Sequence, residues 1–574
     1  MSDRMTMDVD IVCAGFGPAA GGFLATLNTY LTGPDAPMLQ VLCYERADDI
    51  GFGVSGVVTK ARSIRQSFPD VTPADIPMAT SVRTEKLVYL LDPHGASRRP
   101  LAVRGLDEVA GPFAGAVSGV ELPYVPEFLH KTDGWVLSIG QFNQWVGSQI
   151  MAGGAVQIWP ASPVAGPLIE EGRVTGVRLA DIDVRAKLTV VADGPLGPVG
   201  RAIDRHFGMP EGHARDEWAV GMKAVVELPA SVDLEPGTVF HTIGYPEPEI
   251  FGFFYVHADG LASAGIFVPS WFDNPVRSTY RYLQHFMQHP YLWRYVKGGK
   301  LRSWGAKSIL ESGRRGEPYL AGDGYARIGE GSGSTNVLTG SGVDEAWATG
   351  THLGEAVVEL LRDGAEFSQT NLERTYIARR RASWVEAEAR VAEHARMGFR
   401  RGFVSGLLGM GLTGLTGGRL SMPGPELFAI GKARTAEEYF AGVIPIPEIT
   451  AIREECRAAG RSLHDALMNR AGWPEIEYDG QLLMTQQDAL LLGGKVTAAA
   501  GEDHVAFAEP VVCEECRAQV CIEICSGEAI RAGEGRRPVF DREKCVHCGA
   551  CVWNCAAGNV EFRAGSGGLH SVEN

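Results

Sequence analysis

The C-terminal part of the chain holds a dense group of cysteines, and their spacing restricts how that part can fold. Of the 11 cysteines, all but Cys13, Cys43 and Cys456 lie in residues 513–574. They form two runs, which consist of Cys513, Cys516, Cys521 and Cys525, and of Cys545, Cys548, Cys551 and Cys555. Thiolates at such short spacings wrap around an iron–sulfur cluster or a zinc ion. We see no secretion signal, so a metal centre is favoured over a disulfide framework.

The pattern favours iron–sulfur clusters, with zinc as the alternative. In two-cluster ferredoxins, the fourth cysteine of each run binds the cluster of the other run. That rule predicts one ligand set of Cys525, Cys545, Cys548 and Cys551, and a second set of Cys513, Cys516, Cys521 and Cys555. We therefore expect at least one [4Fe–4S] cluster and predict two. Ser526 and Ala556 replace the proline that usually follows each run, which removes no ligand.

The N-terminus has the pattern of a dinucleotide-binding unit. A short apolar strand (9–14) is followed by Gly15-x-Gly17-x-x-Ala20 and then by a helical stretch. The first glycine makes the turn, the second lets a pyrophosphate approach the backbone, and the small third residue lets helix pack on strand. A second strand, QVLCYE, ends in Glu45, where a carboxylate would bind an adenosine ribose.

Two later segments favour FAD over NAD. Residues 187–201 form an apolar strand that is followed by Asp193-Gly194. Residues 325–350 contain a strand, a glycine-rich loop with Thr339, Gly340 and Gly342, and the start of a helix. Backbone N–H groups at that helix start would bind the flavin pyrimidine edge or ribityl chain.

These blocks resemble the FAD-binding segments of the group that contains geranylgeranyl reductases and electron-transfer-flavoprotein:ubiquinone oxidoreductases. The resemblance implies a flavin-ribityl motif at Gly329-Glu330, where the group usually has Gly-Asp; Gly322-Asp323 is a competing register. Segments at 51–70, 135–160, 236–246, 289–309 and 478–494 resemble the oxidoreductases in the same order. The resemblance also implies cofactor contacts at Arg46, Ser55 and Gly56.

The resemblance bears on the cysteines as well. The ubiquinone oxidoreductases have one cluster, whose ligands match Cys525, Cys545, Cys548 and Cys551. The other four cysteines resemble small two-cluster ferredoxin-like proteins that accompany related flavoproteins. The chain therefore looks like a flavoprotein and a ferredoxin-like protein in one polypeptide.

Composition limits the partners. Hydrophobic residues make up 45% of the chain, charged residues 21%, and the net charge is −16. These values are those of a globular protein and argue against nucleic acid as a partner. No stretch is long and apolar enough for a membrane span. However, residues 400–419 are apolar and glycine-rich between arginines, and the family dips a comparable region into the membrane.

We expect an α/β fold: a glutathione-reductase-like FAD-binding (Rossmann) domain with an inserted antiparallel-sheet substrate domain, plus a C-terminal α+β ferredoxin-like domain. The predicted boundaries are 1–60, 121–205 and 310–400 for the FAD-binding domain and 61–120 and 206–309 for the substrate/quinone domain. A helical linker region with membrane contact covers 401–504, and the iron–sulfur domain covers 505–574.

The predicted function is electron transfer from reduced electron-transfer flavoprotein to a membrane quinone, at the inner face of the cell membrane on the cytoplasmic side. One alternative is a ferredoxin-fed, FAD-dependent reductase of an isoprenoid C=C bond. Another is a relay subunit of a larger flavin-based electron-transfer complex. No residue pattern indicates a catalytic acid, base or nucleophile, which fits chemistry carried by cofactors.

Overall fold

The computed structural model describes residues 4–34, 36–51, 56–209, 217–272, 279–423, 435–459, 461–492, 494–496, 503–516, 519–563 and 568–570. It confirms a mixed α/β fold with both parallel and antiparallel sheets.

The strands are β1 (Met5–Ala14), β2 (Val41–Tyr44), β3 (Val57–Thr59), β4 (Thr80–Ser81), β5 (Thr84–Leu90), β6 (Gly119–Glu121), β7 (Trp135–Leu137), β8 (Val156–Trp159), β9 (Gly166–Glu170), β10 (Arg173–Arg178), β11 (Ile182–Val191), β12 (Trp218–Glu227), β13 (Thr238–Ile243), β14 (Phe251–Val256), β15 (Leu261–Pro269), β16 (Lys300–Leu310), β17 (Ala321–Gly322), β18 (Tyr325–Arg327), β19 (Gly494–Val496), β20 (Val505–Phe507), β21 (Ile530–Ala532), β22 (Pro538–Phe540), β23 (Val560–Phe562) and β24 (Gly568–His570).

The α-helices are α1 (Pro18–Leu31), α2 (Arg62–Ser67), α3 (Leu101–Ala114), α4 (Ile139–Ala152), α5 (Pro198–Phe207), α6 (Thr279–Gln288), α7 (Pro290–Val296), α8 (Val343–Arg362), α9 (Gln369–Leu372), α10 (Ala378–Arg381), α11 (Trp384–Ala392), α12 (Phe403–Leu415), α13 (Ala436–Tyr439), α14 (Ile446–Ala459), α15 (Leu463–Arg470), α16 (Gln486–Leu492), α17 (Pro510–Glu515), α18 (Val520–Glu523) and α19 (Ala550–Asn554).

The first sheet is parallel at its centre, in the order β18-β11-β1-β2-β8. Ala14 at the end of β1 pairs with Val191 at the end of β11 and with Tyr44 at the end of β2. The inner strands bury their last residues on both faces, as strands covered by helices do. The carboxyl ends of these strands therefore meet at one edge, where ligands bind in open α/β sheets.

Helices α1 and α8 pack against each other almost backbone to backbone. A Cβ atom at Gly350 would lie 2.0 Å from the carbonyl oxygen of Ala19, and one at Gly22 would lie 2.3 Å from that of Trp347. Trp347 is fully buried and its side chain lies against Gly21. Glycines at these contacts let the long helix α8 fix the start of α1 against the sheet.

The second sheet has the order β16-β12-β15-β14-β13-β5-β6 and is antiparallel except between β13 and β5. One face packs on α6, α7 and later helices in a large apolar core. On the other face, Phe253 and Tyr255 of β14 pack with Val58 of β3 and Val136 of β7. Strand β7 pairs with β3 and β4, so the segment after residue 56 lies against this sheet.

The cysteine-rich region consists of short elements in the order β20, α17, α18, β21, β22, α19, β23. Strand β20 pairs antiparallel with β23, and β21 pairs antiparallel with β22. The region is seated on β16, because the Ser308 N–H donates to the Cys548 carbonyl at 2.8 Å. Trp553 of α19 also donates its indole N–H to the Ser308 hydroxyl at 2.8 Å and stacks on Trp218.

We expect Gly350→Ala to destabilise the protein, because the added methyl group must push α1 and α8 apart. Overpacking of this kind costs about 1–3 kcal/mol, which should lower the thermal unfolding midpoint. The matched control is Gly105→Ala in α3, where an added Cβ meets nothing within 4 Å. Equal midpoints for both variants would contradict the close packing of α1 on α8.

Candidate functional site

Four of the predicted motifs meet at the carboxyl edge of the parallel sheet. Gly15 follows β1, Glu45 follows β2, Asp193 follows β11 and Gly329 follows β18. They surround or adjoin a cavity of about 240 Å³. Among its lining residues are Gly15, Gly17, Glu45, Arg46, Asp193, Gly194, Leu196, Lys307, His547, Phe562 and Arg563.

The glycine turn has the geometry that close approach of a ligand requires. Gly15 has φ +93°, and a Cβ there would lie 2.6 Å from the Ala192 carbonyl oxygen. Gly17 is the N-cap of α1, has no capping side-chain hydrogen bond and would point a Cβ into open space. Ala20 is fully buried. The positive end of α1 is thus open to an anionic group.

Glu45 and Arg46 lie beside this turn. The Glu45 carboxylate accepts from the Phe16 N–H at 2.8 Å and from the Ala47 N–H at 3.0 Å, which ties the second strand to the glycine turn. The Arg46 guanidinium lies 3.0 Å from Nδ1 of His547, which is in the second cysteine run. The two residues therefore connect the cavity to the cysteine-rich region.

Asp193 lines the cavity, but its carboxylate has a structural partner. It accepts from the Val199 N–H at 2.8 Å and from the Gly200 N–H at 3.1 Å, at the start of α5. Burial raises the pKa of Asp193 to about 6, against these hydrogen bonds, which lower it. In this structure, Asp193 caps a helix and thereby fixes the wall formed by residues 194–197.

The two candidate ribityl motifs lie in different places. A Cβ at Gly329 would lie 2.8 Å from the Ala19 side chain, and one at Gly331 would lie 2.6 Å from the Gly194 carbonyl oxygen. Glu330 accepts from the Leu310 N–H at 2.9 Å, and burial raises its pKa to about 7. Gly322 is also buried, but Asp323 is exposed in the β17–β18 turn and accepts from the Gln369 N–H at 2.8 Å. Gly329-Glu330 is the pair that adjoins the glycine turn.

The loop before α8 forms a compact turn. The Asn336 side-chain oxygen accepts from the N–H groups of Leu338 and Thr339, each at 3.2 Å. Gly340 has φ +65°, and a Cβ there would meet nothing within 4 Å. Gly342 is the N-cap of α8 and has no capping side-chain hydrogen bond. The amide groups at this helix start are thus placed to face a ligand.

Gly56 lies on the antiparallel sheet; Ser55 lies outside the described residues. Gly56 has φ +81°, and a Cβ there would collide with the Ser263 side chain at 2.4 Å. Its carbonyl accepts from the Lys223 ammonium at 2.8 Å, and burial lowers the pKa of Lys223 to about 8. The loop between β2 and β3 is therefore anchored to β12 and β15.

The fourth cysteine of each run affects the pKa values of cysteines in the other run. Burial raises the pKa of Cys521, and Cys555, Cys516 and Cys513 raise it further. Burial also raises the pKa of Cys545, with further contributions from Cys525 and Cys548. Cys555 thus raises the pKa of Cys513 and Cys521, and Cys525 raises the pKa of Cys545 and Cys551.

Backbone and side-chain N–H groups already point at these sulfurs. Cys525 accepts from the Ala529 N–H and Cys555 from the Asn559 N–H, both at 3.2 Å. Cys513 accepts from the Asn559 side chain at 3.1 Å. Such N–H···S bonds stabilise cluster-bound thiolates.

The donor sets fit the groups that the sequence predicts. Two sets of four thiolates suit iron–sulfur clusters, and the open glycine cradle suits the pyrophosphate of a dinucleotide.

Several lining residues were not found from the sequence. Lys307, His547, Phe562 and Arg563 line the same cavity as Glu45, although His547 follows Arg46 by 501 residues. No local pattern marks these residues, because their position depends on how the cysteine-rich region docks on β16.

Comparison with known proteins gives one family match and a group of related oxidoreductases. Residues 218–309 match the family described as ETF-QO, ubiquinone-binding. The electron transfer flavoprotein-ubiquinone oxidoreductase of Pseudomonas aeruginosa is 25% identical over 67% of this chain and 69% of its own length. The mitochondrial enzyme of Caenorhabditis elegans is 24% identical over 97% of this chain and 90% of its own length.

One solved structure is that of a geranylgeranyl bacteriochlorophyll reductase-like protein of Thermoplasma acidophilum, which is 17% identical to this chain and superposes with a TM-score of 0.46. The match covers 68% of this chain and 91% of that protein. The sequence matches confirm the resemblance seen in the motifs. Residues 218–309 of this chain are thus similar to a ubiquinone-binding family, and most of the chain is similar to the electron transfer flavoprotein-ubiquinone oxidoreductases.

Proposed function

We propose that this chain is an FAD- and iron–sulfur-containing oxidoreductase that passes electrons from reduced electron transfer flavoprotein to a membrane quinone. The observation that carries the proposal is the position of the ubiquinone-binding segment, residues 218–309. Its sheet holds Gly56 of the β2–β3 loop through Lys223, and its last strand holds Cys548 through Ser308. A quinone-binding segment thus lies between the proposed flavin loop and the proposed cluster loops.

The residues of the parallel sheet would hold FAD, with Gly329-Glu330 rather than Gly322-Asp323 as the ribityl motif. The open N-terminus of α1 at Gly17 would bind the pyrophosphate, and Glu45 would bind the adenosine ribose. The N-terminus of α8, with Thr339, Gly340 and Gly342, would bind the flavin ring or ribityl chain. When bound, FAD supplies one- or two-electron chemistry, whereas a [4Fe–4S] cluster supplies one electron at a time.

The cysteine-rich region would hold two clusters in a ferredoxin-like fold. Its β-α-α-β-β-α-β order and the crossed cysteine sets support this assignment. The protein's contribution is to bury the thiolates, to donate N–H···S bonds and to fix both sets relative to β16.

We propose peripheral membrane contact through a surface formed by α3 and α12. Among the helices in the described part of the chain, none is long and apolar enough to cross a membrane. However, Phe113 of α3 is 76% exposed and Leu415 of α12 is 85% exposed. Val103 of α3 and Met410 of α12 share one apolar core, so the two helices belong to one surface. Exposed apolar side chains of this size favour a membrane interface.

The function is tested anaerobically with purified protein that contains FAD and its clusters. Enzymatically reduced electron transfer flavoprotein and a short-chain quinone are mixed with the protein, and quinone loss is followed. We expect catalytic quinone loss that requires both partners. No turnover with intact cofactors would refute the proposal; reduced ferredoxin with an isoprenoid substrate would then test the reductase alternative.

We expect Gly17→Leu to abolish flavin binding without unfolding the protein, since the new side chain fills the open space in front of α1. The measurement is the flavin absorbance of the purified protein, together with its iron content and far-UV circular dichroism. Gly105→Leu, which also adds a side chain into open space, is the control and should keep its flavin. Normal flavin content in Gly17→Leu would show that FAD binds elsewhere.

We expect the double variant Phe113→Glu, Leu415→Glu to lose vesicle binding, because charge at the membrane surface opposes insertion of α3 and α12. Flotation with lipid vesicles measures binding. Turnover should fall with a long-chain quinone in vesicles and stay unchanged with a soluble short-chain quinone. Leu491→Glu, at a 78% exposed position of α16, is the control. If the double variant floats like the wild type, this surface does not contact the membrane.

A further inference from the structure

The two proposed cluster sets differ in their access to solvent. Cys516 is exposed, whereas Cys513 and Cys521 of the same set, and Cys548 and Cys551 of the other set, are buried. Cys516 lies at the end of α17, where its sulfur accepts from the Gln519 N–H at 3.4 Å. Its carbonyl accepts from the Arg536 guanidinium at 2.6 Å. The set that contains Cys516 therefore reaches the protein surface, and we call it the outer set.

The set that contains Cys548, the inner set, faces the body of the protein. The Cys548 carbonyl is bonded to Ser308 of β16, and Cys548 and Trp553 belong to the same apolar core as the antiparallel sheet. His547, two residues after Cys545, lines the cavity at Glu45 and Arg46. From the surface inward, the order is thus outer set, inner set and cofactor cavity.

We propose that the outer set, at Cys516, is the port through which single electrons pass between this chain and a one-electron carrier protein. The inference rests on the proposed function and names where its protein partner docks. Each encounter moves one electron from the reduced carrier to the outer set and moves no atom. Two encounters, with two protons from water, supply one reduction of quinone to quinol.

The docking surface next to Cys516 contains Val511, Glu514 and Arg537. Val511 on α17 is 60% exposed. The Arg537 guanidinium pairs with the Glu514 carboxylate of α17 and is itself largely exposed. An exposed apolar residue beside a mixed charge pair suits a short-lived contact between redox proteins, in which charge sets the association rate.

Surface variants test the port without touching a ligand. Arg537→Glu and Val511→Glu should change the second-order rate at which reduced electron transfer flavoprotein, or reduced ferredoxin, reduces the protein in anaerobic stopped flow. Iron content and the EPR spectrum after dithionite reduction should stay those of the wild type. The matched control is Arg185→Glu, since Arg185 is also exposed and paired with one carboxylate, that of Glu170. If both surface variants are reduced by the carrier proteins at the wild-type rate, the proposed port is overturned.

Cys516→Ser gives a second test. We expect it to lose about half of the iron and to lose reduction by either carrier protein, while dithionite still reduces the remaining cluster and FAD. If a carrier protein reduces Cys516→Ser at the wild-type rate, the proposal is overturned. It is also overturned if neither carrier protein reduces the wild type. Quinone turnover by the wild type is scored separately, so failure of the port and failure of the proposed function are distinguishable.

A different observation concerns His504. Its side chain is 1% exposed, and neither ring nitrogen has a hydrogen-bond partner. The ring stacks on His547 at 4.2 Å between centroids and meets the edges of Phe540 and Phe562. A buried imidazole without a partner is unfavourable, so a partner is expected in the loaded protein.

One sulfur of the inner set, that of Cys545, lies close to the His504 ring. Ring nitrogens of His504 and His547 and the sulfur of Cys545 lie within 4.8 Å of one another. The His547 ring is already held by Arg46 at 3.0 Å, and the backbone N–H of His547 donates to the Cys545 sulfur at 3.4 Å. We infer that His504 donates an N–H···S hydrogen bond to the inner cluster at Cys545. Such bonds make cluster reduction easier, because they stabilise the added negative charge.

The test compares His504→Phe with His504→Gln in redox titrations followed by EPR. In His504→Phe the inner cluster should reduce at a more negative potential with unchanged iron content; His504→Gln, which keeps an N–H donor, should recover part of the shift. In wild-type protein labelled with 15N-histidine, a nitrogen hyperfine coupling to the reduced cluster should be seen and should weaken in His504→Gln. Three outcomes would overturn the inference. They are an unchanged potential in His504→Phe, the absence of a histidine coupling in the wild type, and the loss of one equivalent of zinc on substitution.

Discussion

The parallel pairing of β1 with β2 and β11 is the interaction on which the site depends. Because Ala14, Tyr44 and Val191 end in register, the segments that follow them start from the same edge. Gly15, Glu45 and Asp193 are far apart in the chain and come together for this reason alone. Helix α8 then locks the arrangement, since Gly350 lets its backbone touch that of α1. The position of the cavity therefore depends on the strand register as much as on the side chains that line it.

Charge is handled differently at the cavity and around the cysteine sulfurs. At the cavity, the half-buried carboxylates Asp193 and Glu330 are held by backbone N–H groups, and the exposed Lys307 lines the same cavity as Arg46. In the cysteine-rich region, burial opposes thiolate formation at Cys521 and Cys545. Iron would offset that cost, since a metal ion deprotonates the thiols that bind it. Cluster assembly and folding of this region would thus be coupled.

Local spacing allowed much of the site to be predicted. The turn at Gly15, the N-cap at Gly17 and the crossed facing of the cysteine runs follow from a few neighbouring residues. The helix-capping role of Asp193 was missed, because it depends on the loop after Asp193 bringing the Val199 N–H close to its carboxylate. His547 and Phe562 at the cavity were missed because only tertiary docking brings them to Arg46. The exposed face of α3 was missed, since its mixed composition resembles an ordinary surface helix.

The hydrogen bond between Ser308 and Cys548 has a kinetic consequence. Separate flavoproteins and ferredoxins must meet by diffusion, so their exchange slows when either is scarce. Here a strand of the segment that matches the ubiquinone-binding family and a loop of the cysteine-rich region share a backbone hydrogen bond within one chain. A tether of this kind replaces bulk concentration with a fixed local one. Exchange between the inner set and the cavity should therefore proceed at the same rate however dilute the protein is.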